Sequence, residues 1–226
     1  RRPPRSTRKE SSAASDVYKR QALYDNTGSQ NVAVGHSSMR NIINGTKNVA
    51  IGNSSLYSSS PGSANYNTAV GYASLYSNSA GHYNIAVGYN ALYSNAGGTR
   101  NIAIGVDALK LHDAESDNLA IGYEALKGAG AAGEYNVAIG NYSQKTTSGD
   151  YNTAVGGISL TANTTGDKNT AVGYGSQASN TSGRKNTAMG HNALEYGSSA
   201  NQNVAIGMDA LRGNSASHYN LSLIHI

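Results

Sequence analysis

The chain has no cysteine, no phenylalanine and no tryptophan, and only three prolines in 226 residues. Without cysteine there is neither a disulfide framework nor a thiolate metal site. Sixteen tyrosines are the whole aromatic complement, and 38% of residues are hydrophobic. Such a chain cannot build a thick three-dimensional core, only a narrow one. No run approaches the roughly 20 apolar residues of a membrane span, and no apolar signal core follows the basic N-terminus.

Charge is equally sparse, and its excess is misplaced. Residues 1–21 hold seven Lys/Arg against two acids, whereas residues 22–220 hold ten Lys/Arg against eleven Asp/Glu. The repeats therefore lack the basic footprint that nucleic acid or an anionic membrane requires. The segments 1–21 and 221–226 read as non-native or disordered flanks, resembling translated adapter sequence, although Asn220 keeps the repeat register.

What the chain does have is a period. Asn-x-Ala-x-Gly occurs eleven times, with Asn at 31, 48, 67, 84, 101, 118, 136, 152, 169, 186 and 203. A fixed step of about 17 residues signals a solenoid, in which each repeat is one coil that packs only on its neighbours. The expected fold is all-β: a β-solenoid of eleven coils spanning 22–220.

Aligned on the Asn, every copy has Ala two residues later and Gly four later, with Val, Ile, Leu or Thr one after and Val, Ile or Met three after. This period of two predicts a short strand, with the branched apolar residues expected inside the coil and a flat Ala/Gly face outside. Eight after the Asn, nine copies carry Leu or Met, and Gln144 and Gln177 are the exceptions. These residues suggest a second short strand after a bend at the glycine. The repeated Asn should form a hydrogen-bonded ladder. Length varies within 57–66, 127–135 and 144–151, which places the variable loops on one edge, where solenoids often bind. One coil offers few large apolar side chains against the entropy of ordering 17 residues. An oligomer, a homotrimer, is therefore expected.

The blocks NVAIGNSSL (48–56), NTAVGYASL (67–75), NIAVGYNAL (84–92) and NTAVGYGSQAS (169–179) resemble the head repeats of YadA-type trimeric autotransporter adhesins. The resemblance implies a trimeric, left-handed parallel β-roll on a cell surface, attaching to host matrix protein or surface glycan. The longer repeats also resemble those of phage tail fibres, which implies the alternative of a virion tail.

Sharper chemistry finds little support. Residues 128–133 match G-x-G-x-x-G, but the segment that follows is another repeat strand where the dinucleotide fingerprint needs a helix. Thr153, Thr170 and Thr187 form a three-step column expected to face inward, too short for ice binding. His36 and His191 occupy the position usually held by Tyr, and His82 and His218 lie in turns; none has ligand-like spacing. Asp113, Glu115 and Asp117 read as a solvated acidic loop without a calcium-loop pattern. The acids are scattered over repeat positions, so no catalytic residue, cofactor or metal site is expected. The candidate contact edge is Tyr57, Tyr76 and Tyr93, nine residues after their Asn.

Overall fold

The computed structural model describes residues 22–23, 25–58, 62–128 and 133–223. The flank 1–21 and most of the G-x-G-x-x-G loop (129–132) lie outside the described residues. Twelve strands follow one another: β1 Val32–Val34, β2 Val49–Ile51, β3 Thr68–Val70, β4 Ile85–Val87, β5 Ile102–Ile104, β6 Leu119–Ile121, β7 Val137–Ile139, β8 Thr153–Val155, β9 Thr170–Val172, β10 Thr187–Met189, β11 Val204–Ile206 and β12 Leu221–Leu223. They pair in chain order as one parallel sheet, and no helix occurs among the described residues. The register is set residue for residue: Ile102 faces Leu119, Ala103 faces Ala120 and Ile104 faces Ile121. The chain is thus an all-β parallel solenoid of about eleven coils, about 17 residues per turn. At the usual strand spacing of about 4.8 Å, the sheet is on the order of 50 Å long.

β12 lies in the stretch read from the sequence as a flank. Its Leu-Ser-Leu continues the large-small-large alternation, and it pairs in register with β11. The backbone N–H of Asn220 donates to Asn203 Oδ1 at 2.9 Å, as in every earlier coil.

The strands face the opposite way from the sequence expectation. Alanine points inward and is fully buried in Ala50, Ala69, Ala103 and their counterparts, while the branched residues on either side point out. Val32 is 50% exposed and Ile104 39%. The Thr153–Thr170–Thr187 column is likewise outward and half-buried. The cause is coil thickness. The layer opposite the strand brings Leu or Met in most coils (Leu56, Leu75, Leu92 and Leu109 are fully buried) and the equally buried Gln144 or Gln177 in two, together with a buried Ser or Ala just before it. With those in place, only a methyl group fits beneath the sheet.

That opposite layer is not a second strand. Its residues alternate in backbone handedness: Ser54 has φ 56° and Leu56 φ 47°, and the same two positions have positive φ in coil after coil. Left-handed conformations are costly for non-glycine residues. Here the alternation turns successive peptide units up and down the rod. Ser54 N–H donates to His36 O in the coil before, and Leu56 N–H donates to Ser74 O in the coil after. Inter-coil hydrogen bonding is thereby preserved on a face that is not β-structure.

Two buried amide ladders close the corners. In the expected one, Asn169 N–H and Nδ2 both donate to Asn152 Oδ1, at 3.0 and 3.2 Å, and Nδ2 also donates to Gly183 O at 2.8 Å. The second ladder, not anticipated, runs eleven residues further on. Asn78, Asn95, Asn163 and Asn180 are fully buried there, each donating Nδ2 to the carbonyl three residues later at 2.9 to 3.1 Å.

His112 stands in that second ladder. It is fully buried, both ring nitrogens lack a hydrogen-bond partner, and Asn95 Oδ1 in the coil before is also unpaired. Burial pushes its imidazole down to about 4, against the upward pull of the Glu115 carboxylate. A base whose folded value is depressed excludes a proton that the unfolded chain accepts. Stability therefore falls as pH drops from about 6.5 to about 4, by about 3 kcal/mol across the window. His112→Asn would restore the bonds to Asn95 Oδ1 and Glu115 O. We expect it to raise Tm at pH 5 by several degrees more than at pH 7.5, measured by thermal melts at both values.

Candidate contact surface

Three outer columns carry most of the aromatic side chains. Tyr57, Tyr76 and Tyr93 stack with ring centroids 4.8 Å apart and interplanar angles of 21° and 2°. The spacing-based candidate edge is therefore a continuous half-buried column, one ring per coil. Burial, followed by Tyr93 and Tyr57, pushes the Tyr76 phenol up. Across from it, Tyr72 and Tyr89 stack at 5.2 Å. A third column, residues immediately before the Asn, was not singled out from sequence: Tyr66 and Tyr83 stack at 4.8 Å, Tyr135 and Tyr151 at 5.0 Å. The same alignment on Asn would have revealed it.

The histidines serve the stack and the turns. His191 lies on Tyr174 at 5.6 Å, the expected equivalent of a tyrosine. His82 Nδ1 accepts the Asn65 N–H, and His218 Nδ1 accepts the Asn201 N–H, both at 3.0 Å. In the acidic loop, Asp117 pairs with Arg100 through bonds of 2.5 and 2.6 Å. The Arg100 hydrogen bond holds that carboxyl below its usual range. Glu115 Oε2 accepts the N–H groups of Asp113 and Ala114. Asp117 and Glu115 are thus engaged by local partners, and the described residues contain no group of three or more His, Cys, Asp or Glu able to hold a metal ion.

The column Tyr57–Tyr76–Tyr93 continues as Lys110, Lys127 and Lys145. These interleave with two carboxylates in one chain of ion pairs: Lys110–Asp107 3.1 Å, Asp107–Lys127 3.8 Å, Lys127–Glu124 2.8 Å and Glu124–Lys145 2.7 Å. The Lys127 and Lys145 hydrogen bonds hold Glu124 down, and Glu124 in turn raises Lys127. Alternating signs at one coil step make this chain a spine joining three coils, with three ammonium groups set over two less exposed carboxylates.

The sheet face is the other surface feature. Its outward columns, one and three residues after each Asn, are apolar nearly throughout, and Val34, Ile51, Ile85, Val87, Ile104 and Ile206 are exposed. No protein-family model, curated protein or solved structure matches the chain.

Proposed function

We propose that the chain is the repeat rod of a trimeric surface fibre that attaches by many weak contacts. The observation that carries this reading is the apolar outward face of the sheet, running the length of β1 to β12. Contiguous exposed apolar area of this extent marks an interaction surface. A second and third copy of the same chain are its natural cover, because every copy has the same face at the same coil spacing and three faces around one axis form a closed ring. The likeness of the repeats to YadA-type heads supports both the trimer and a left-handed winding, and with them a place on a cell surface.

In such an assembly the sheet faces are turned inward, and the tyrosine columns beyond the glycine corner remain outside. Each trimer then presents three copies of every repeated contact. Avidity accumulates from contacts that are individually weak, and no single strong site is needed. The ligand classes this reading admits are host matrix protein and surface glycan.

Light scattering on the full chain tests the assembly. The expected mass is three times the 23.3 kDa of one chain. Ile85→Asp combined with Ile104→Asp should reduce it to a single chain, since each buried interface carboxylate would lack a partner. A folded, stable monomer of the unsubstituted chain would overturn the proposal.

A further inference from the structure

Between the Tyr72–Tyr89 column and the Tyr76–Tyr93 column runs a groove of about 490 Å3, its floor made by Ala73 and Asn90. Both floor residues are buried, and Ser54 and Lys110 line its two ends. The groove follows the rod axis, so any ligand lying in it meets the same kind of contact once per coil.

The ring stacking limits what can lie there. Within each column the tyrosine faces are occupied by their neighbours at 4.8 to 5.2 Å. The groove is therefore walled by ring edges and phenol hydroxyls. Bases of single-stranded nucleic acid need open aromatic faces to stack on, and these columns present none along their length. Peptides fail on pitch. An extended strand advances about 3.3 Å per residue and a polyproline helix about 3.1 Å. Neither keeps step with contacts repeated every 4.8 Å. A pyranose ring in a linear glycan is about as long as one coil step, and its hydroxyls are partners for phenol, serine and amide groups. Beyond Tyr93 the same column turns into Lys110, Lys127 and Lys145, where the ammonium groups lie over the less exposed Asp107 and Glu124.

We propose that this groove binds a linear glycan bearing carboxylates, with sugar hydroxyls on the tyrosine and Asn90 side chains and uronate carboxylates on Lys110, Lys127 and Lys145. This assigns a ligand class to the fibre surface described above and rests on that reading. Recognition is by register: one sugar per coil, with hydrogen bonds over the aromatic half and charge over the lysine half.

The test is calorimetric binding of polygalacturonate to the full chain at physiological salt, with dextran as the uncharged polymer. The expected result is saturable binding of polygalacturonate and much weaker binding of dextran. Lys110→Gln, Lys127→Gln and Lys145→Gln together should weaken it at least about tenfold, as expected for loss of charge-assisted hydrogen bonds. Tyr76→Phe with Tyr93→Phe keeps the stack but removes the hydroxyls, and should cost several-fold. Asp107→Asn with Glu124→Gln frees the lysines and should tighten binding, an effect that a damaged fold cannot produce. No saturable binding, equal binding of dextran, or binding unmoved by the lysine and tyrosine changes would each overturn the assignment. Scattering and cell attachment on the same samples separate the two levels. A trimer that still attaches to cells but ignores polygalacturonate removes only the groove assignment, whereas a monomer removes the fibre reading with it.

Discussion

Gly105→Ala is expected to destabilise the solenoid by about 4 kcal/mol and to open it near its fifth coil. Gly105 has φ +135°, and a Cβ there would lie 2.3 Å from the carbonyl oxygen of Gly122 and 2.7 Å from its carbonyl carbon. Two costs add. Backbone in that region is close to glycine-only, at about 1–3 kcal/mol, and forcing extra volume into packed structure costs a further 1–3 kcal/mol or more. The clash is with backbone, so no rotamer change relieves it. Gly88 and Gly122 stand in the same relation to the next coil, so the column leaves no slack to share. Gly97→Ala is the matched control, because a Cβ there meets nothing within 4 Å. Urea denaturation of the two variants should separate them widely, and native-state amide exchange should place the loss around β4 to β6. A Gly105→Ala variant within about 1 kcal/mol of Gly97→Ala would mean that the coils do not stack in this register. The effect should also be local in origin, since each coil contacts only its neighbours and a single broken interface divides the rod.

The period and the strand were legible in the sequence because Asn31, Ala33 and Gly35 recur without loss or gain of a residue between them. Side-chain direction was not. Alternation tells that Val32 and Ala33 face opposite ways; it does not tell which way is in. That choice depends on the thickness of the layer opposite, which no strand pattern encodes. In a wide sandwich the branched residues go inside, whereas here Leu56 and Ser55 already fill the coil and Ala50 takes the remaining space. The turn layer was hidden for a similar reason. Leu56 and Leu75 recur at a fixed position, as a strand residue would, yet their positive φ belongs to an alternating backbone that ordinary propensities do not describe. Tyr57, Tyr76 and Tyr93 were recoverable from spacing alone, since equal position in a parallel stack means adjacency. The Asn95 ladder was recoverable in the same way and was masked by its surroundings of Ser, Asn and Gly, which read as turn chemistry. Opposite Asn95, the His112 ring with its unpaired nitrogens could be found only with coordinates, because a histidine in a polar turn segment gives no sign of burial.

Asn169→Ala is expected to cost about 3 kcal/mol, more than removal of an amide usually does. Its side chain is the partner of the buried Asn186 N–H and shares the Gly183 carbonyl with Asn180 Nδ2. Oδ1 accepts from Asn186 N–H and Nδ2 at 3.0 and 3.1 Å, and Nδ2 donates to Gly183 O at 2.8 Å. Truncation orphans the buried Asn186 N–H, at about 1–3 kcal/mol, and removes a further bond to Gly183 O, which keeps its bond from Asn180, at about 1 kcal/mol. The same geometry explains why asparagine recurs where aspartate of equal size does not. The position needs an acceptor toward one coil and a donor toward the next, and a carboxylate supplies only the first. Asn169→Asp should accordingly be worse than alanine at pH 7, since it also buries an uncompensated charge. Its carboxyl would be raised above the unfolded value by that burial, so stability should return as pH falls, when the protonated acid can donate to Gly183 O. Asn53→Ala, at an exposed position whose side chain accepts only from the neighbouring Ser54 hydroxyl, should change stability by less than about 0.5 kcal/mol. Chemical denaturation of the three variants at pH 7 and pH 4.5 checks the order. If Asn169→Asp matched the unsubstituted chain at pH 7, the ladder would be a bystander and the coils would be held by the leucine and alanine columns alone.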